Sequence, residues 1–124
     1  MMKKICNAMV LSGALVAAGA YADGDAARGK KVFEECAACH SLEKGVNGVG
    51  PTLNGVFDRK AGELADFRFS PAMKRSGLAW SARTLELFIA DPQAEIKGNR
   101  MPYSGIADAK DRADLIEYLK TATK

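Results

Sequence analysis

Apolar residues fall into one broad helical stripe near the C-terminal end of the chain, and elsewhere the helices are read from capping and breaking residues. Toward the C-terminus, Leu115, Ile116, Tyr118 and Leu119 form one broad stripe on a segment that opens at Asp108 and runs to about Ala122. Toward the N-terminus, Asp25 caps a segment of mixed surface that predicts a helix running into Cys36-Ala37-Ala38-Cys39-His40. Ser70 before Pro71 predicts a short helix to about Ser76, since serine caps and proline fits the first helical turn. Trp80 and Leu85 sit at the staple positions around a capping Ser81, and Asp91-Pro92 should end the helix that follows.

The stretches between these helices read as loops. Residues 41–50 and 96–106 are punctuated by glycine and proline, residues 52–59 allow at most a helical turn, and residues 61–69 are irregular. No stretch alternates convincingly as a strand, and no repeat or second domain is visible. The expectation is an all-α single domain over residues 23–124, with short helices and long loops. Loops of that length in a compact domain need an internal organiser, and a large, flat, apolar cofactor is one. Gly29, one turn before Phe33, is either a tolerated glycine or the point where a second helix crosses closely; the second reading is preferred.

Composition changes this picture once the leader is considered. Residues 1–22 carry Lys3 and Lys4, then an apolar run, then Ala20-Tyr21-Ala22, the pattern of a secretory signal peptide cleaved after Ala22. The run is short and broken by Ser12, Gly13 and Gly19, so stable membrane insertion is not expected; an uncleaved anchor is the alternative. Loss of the two lysines takes the 18 basic residues to 16 against 15 acidic ones, a net charge of +1. A nucleic-acid-binding role loses its main support. Export also places the protein in a compartment that permits disulfides, and Cys6 leaves with the leader.

The remaining chemistry is concentrated in Cys36, Cys39 and His40, the last being the only histidine. Zinc requires about four ligands, and no other cysteine or histidine remains to complete a set. A thiol–disulfide oxidoreductase places its motif after a strand in an α/β pattern, which is missing. Covalent haem attachment needs two thiols three positions apart and an imidazole next in line, which this motif supplies. His40 is then the protein's imidazole ligand to iron. On the opposite face a methionine thioether suits iron, and only Met73 and Met101 follow the leader. Met101 lies in a loop framed by Gly98, Pro102 and Gly105 that can hold it on an irregular course, whereas Met73 in a short helix reads as packing. Met101 is therefore preferred.

These residues, with Gly50-Pro51, Leu53, Gly55, Phe57, Arg59, Trp80, Asp91-Pro92, Leu115 and Tyr118 in this order, resemble the class I cytochromes c of mitochondria and bacterial periplasms. The resemblance covers nearly all of residues 25–121. It implies the cytochrome c fold, with first and last helices crossing and loops wrapped around one haem c held through Cys36 and Cys39. It implies His40 and Met101 as axial ligands, a Pro51 carbonyl that accepts from the His40 ring, and Arg59 and Trp80 at a haem propionate. It also gives Gly29 and Phe33 a crossing partner in Leu115 and Tyr118.

Departures from the mitochondrial pattern fall at Phe69, Met73 and Phe88, where the family places tyrosine, asparagine and tyrosine, so a drier pocket is expected. At positions where relatives ring the haem edge with lysines, this chain has Glu35, Gln93, Ala94, Ala107 and Asp108, with Lys31 and Arg100 the main basic survivors. The functional expectation is a monomeric periplasmic carrier of one electron, not an enzyme, docking transiently with redox proteins at the haem edge. The alternatives are a haem subunit of a periplasmic dehydrogenase complex, or a haem peroxidase or gas-binding protein with an open iron face.

Overall fold

The computed structural model describes Gly13 and residues 24–124; the leader and its cleavage point after Ala22 lie outside the described residues. Six helices occur among them: α1 (Ala26–Val32), α2 (Glu34–Ala37), α3 (Pro71–Arg75), α4 (Ala82–Ala90), α5 (Pro92–Glu95) and α6 (Ala109–Ala122). The only β pairing among the described residues is one isolated antiparallel bridge between Lys60 and Ala79. The fold is thus all-α.

Each longer helix starts where its capping residue stands. The Asp25 carboxylate accepts from the Ala27 and Arg28 N–H groups, and Asp108 accepts in the same way from Lys110 and Asp111. Ser70 caps α3 ahead of Pro71, and α4 opens with a reciprocal box in which Ser81 and Thr84 each receive the other's backbone N–H. These interactions satisfy donors that a helix start otherwise leaves without partners. Two boundaries differ from the sequence expectation. The N-terminal helix does not run unbroken into the cysteines: Phe33 separates α1 from α2 while keeping right-handed angles (φ −62°, ψ −20°). Beyond Asp91 the chain does not pass straight into loop, because the Asp91 side chain caps the additional turn α5.

The most extensive packing between helices joins α1 to α6, near the two ends of the domain. Gly29 is buried there, and a Cβ at that position would collide with the Asp114 carbonyl and lie 2.8 Å from Tyr118 Cβ. The crossing reading of Gly29 holds, with one refinement: the glycine meets the backbone of Asp114 rather than Leu115. Phe33 and Tyr118 stack with ring centroids 5.4 Å apart. Asp114 fastens the crossing, since its carboxylate accepts the Asp25 N–H at 2.7 Å and the Lys110 ammonium at 3.2 Å, with Arg28 Nε 3.5 Å away.

The core forms two clusters. One contains Val56, Ala61, Trp80, Leu85, Phe88, Ile96 and Ile116; the other contains Phe33, Ile106, Leu115 and Leu119. Leu53, Phe57 and Ile89 border both clusters and are only partly covered. Incompletely covered apolar side chains between two cores are where a flat apolar group fits.

Candidate functional site

The site begins where α2 ends. Cys36 lies in α2, Cys39 follows two residues beyond its last turn, and both are half-buried free thiols. The loop returns immediately, as the Gly50 N–H donates to the Cys39 carbonyl at 2.9 Å. That return brings Pro51 beside His40, whose Nδ1 lies 2.7 Å from the Pro51 carbonyl oxygen. A carbonyl only accepts, so Nδ1 carries the proton and Nε2 keeps its lone pair for a metal. Burial holds the imidazole below its ordinary pKa against the opposing pull of that hydrogen bond, and Arg59 adds to the lowering. Burial, with the Glu35 and Cys39 charges, pushes the Cys36 thiol up to about 11.

Gly50 has a role that the sequence did not disclose. A Cβ there would lie 2.8 Å from His40 Nδ1 and 2.9 Å from Nε2, so only glycine lets the backbone lie against the imidazole. The ring is fixed by a hydrogen bond along one edge and by main chain packed against it.

Met101 is half-buried against the first core cluster, on the loop that follows α5, and Met73 packs against the same cluster from α3. The Met101 loop is held along its length. Its N–H donates to Asn99 Oδ1 at 2.9 Å, the Ile106 N–H donates to the Ile89 carbonyl at 2.8 Å, and Arg112 Nη1 donates to the carbonyls of Ile106 and Ala107. The Tyr103 hydroxyl donates to Glu35 Oε2 at 2.7 Å, joining this loop to the cysteine-bearing helix. Burial and the Glu35 carboxylate raise the phenol above its usual pKa.

Arg59 and Trp80 are brought together through the main chain, the Trp80 N–H donating to the Arg59 carbonyl at 2.9 Å. The Arg59 guanidinium donates to the carbonyls of Thr52 (2.9 Å) and Asn54 (3.1 Å), so it braces the loop after Pro51. Trp80 is buried with Phe88 against it, ring centroids 5.1 Å apart. Phe69 pairs edge-on with Phe67. Aromatic and aliphatic contacts thus occupy Phe69, Met73 and Phe88.

Two thiols on a helical turn, an imidazole with a free Nε2, and partly covered apolar side chains between the cores fit a covalently attached haem. The family model described as Cytochrome c matches residues 26–123. The chain belongs to the cytochrome c family. It is 41% identical to cytochrome c2 of Rhodomicrobium vannielii over 97% of each chain. It is 51% identical to cytochrome c2 iso-2 of Magnetospirillum fulvum over 72% of this chain and 93% of that one. Among solved structures, cytochrome cH from Methylobacterium extorquens superposes with a TM-score of 0.74 at 52% identity, covering 79% of this chain and 99% of that one. This cytochrome c therefore holds one covalently bound haem c at the Cys36 and Cys39 spacing, and it is a small single-haem electron carrier. No helix among its described residues is long and apolar enough to cross a membrane.

Proposed function

We propose that this cytochrome is exported with its leader removed after Ala22, and works in the periplasm as a monomeric shuttle between a redox donor and an acceptor. His40 Nε2 and the Met101 sulfur would hold the haem iron, and Pro51, Arg59 and Trp80 would support the haem around it. The observation that carries this reading is the pairing of two immobilised ligand segments: His40 fixed by Pro51 and Gly50, and the Met101 backbone fixed by Asn99.

When bound, haem supplies an iron that gains and loses one electron. The chain's own contribution is to keep both donors in place through that change, so that little rearrangement accompanies transfer. The Nδ1–H to Pro51 bond prevents ring rotation and keeps Nε2 basic. Arg59, anchored on the carbonyls of Thr52 and Asn54, offers a fixed positive charge to a propionate. Glu35, Ala37 and Ala38 are exposed beside the thioether positions, where a partner would meet the haem edge through a small, short-lived interface.

Met101→Ala in the ferric haem protein tests the ligand assignment. The weak red charge-transfer band of iron–thioether bonding should vanish; a band that survives there and is lost in Met73→Ala would overturn it. Intact mass of the protein recovered from periplasm should correspond to a chain beginning at Asp23 plus one haem.

A further inference from the structure

Asn99 is buried in the turn between α5 and Met101, and all of its polar side-chain atoms are engaged. Its Nδ2 donates to the carbonyls of Pro92 (2.8 Å) and Ile96 (2.9 Å), and its Oδ1 accepts the Met101 N–H (2.9 Å). Because both donors meet carbonyls, the amide can point only one way, and its oxygen is committed to Met101. Pro92 is itself among the most completely buried side chains, so the amide is anchored to a part of α5 that does not give. Gln93 repeats the connection from outside: its Nε2 donates to the Asn99 carbonyl at 3.0 Å and its Oε1 accepts the Gly98 N–H at 3.1 Å.

We infer that Asn99 is the positioning residue of the methionine ligand, with Gln93 as its outer support. This rests on the assignment of Met101 to the iron. A thioether is a neutral, weak donor to ferric iron, so its residence there depends on how little freedom its backbone has when the bond breaks. The Asn99 amide removes that freedom at the ligand's own N–H. Without it the loop is still held by its far end through Ile106 and Arg112, so the fold survives while the sulfur is displaced more easily.

The test is displacement of the methionine by imidazole in the ferric haem protein, followed by loss of the red band. Asn99→Ala should raise imidazole affinity about tenfold, the equivalent of one buried hydrogen bond, and Gln93→Ala about threefold. The control is Thr123→Ala, which removes a buried hydroxyl bonded to the Leu119 carbonyl at 2.7 Å, far in sequence from the ligand loop. It should lower Tm without changing imidazole affinity. Equal affinity changes in Asn99→Ala and Thr123→Ala would show a merely structural role and overturn the inference. Should Asn99→Ala fail to accumulate with haem, Gln93→Ala decides, and an unchanged affinity there overturns the inference too. A red band that persists in Met101→Ala refutes the ligand assignment instead, so the two failures are distinguishable.

Discussion

A methyl group at position 29 would need the space that the Asp114 carbonyl fills. Gly29→Ala therefore forces α1 away from α6, and overpacking of this kind should cost about 3 kcal/mol, read as a lower midpoint in chemical denaturation. Asp114, on the other side of the same crossing, is sealed from solvent at 0% exposure, with Oδ2 lacking a hydrogen-bond partner among the described residues. The Asp25 N–H is the main influence holding its carboxyl below the usual range, helped by Lys110 and Arg28 against the cost of burial. A folded-state pKa below the unfolded value near 3.9 means the ionised group stabilises the fold above about pH 4. That stability is lost as pH falls through the depressed value. Asp114→Asn should accordingly be less stable than the parent at pH 7, and the gap should narrow in melts recorded below about pH 4. A gap that stayed constant down to pH 2 would mean the charge is not what matters.

At the scale of elements, the caps organise the chain. Ser81→Ala removes the acceptor for the Thr84 N–H at 3.1 Å and breaks the box at the start of α4, which carries Leu85 and Phe88 into the core. The expected loss is about 1 kcal/mol, seen as a fall of several degrees in Tm with the haem spectrum unchanged. Asp25, Ser70, Ser81 and Asp108 were legible because a cap acts locally, on the N–H groups two or three residues ahead. The C-x-x-C-H motif was legible for the same reason, its chemistry being compressed into five residues. By contrast, α5 is a single turn too short for any period to show. Asn99 and Gly50 take their roles from where a loop returns in space, and no spacing rule in the sequence encodes that path. Asp114 looks like one more polar residue on a surface helix until the close approach at Gly29 places α1 over it.

Across the whole molecule, charge is nearly balanced, and the positions around the expected docking edge are mixed. Glu35, Gln93, Ala94, Ala107 and Asp108, at the positions where the resemblance puts the haem edge, are exposed, as are Lys31 and Arg100. With no dominant sign to steer an encounter, electron transfer to the natural acceptor should change little between low and physiological ionic strength. A rate that fell steeply with added salt in stopped-flow measurements would reveal a basic docking face.

The α1–α6 crossing also sets how freely the chain between its helices can change length. To make it, about eighty residues must be gathered into a single closed loop, an entropic penalty of about 4 kcal/mol that grows only with the logarithm of loop length. Even doubling that length would add about 0.6 kcal/mol. Exposed stretches such as the one around Ala65 and Asp66 can therefore lengthen or shorten at little cost to the crossing. The turn from Gly98 to Ile106 has no such latitude, because it is fixed at both ends and carries Met101 between them. Length variation should therefore collect in exposed stretches of that kind, while the turn that carries Met101 keeps its length and the rest of the surface drifts.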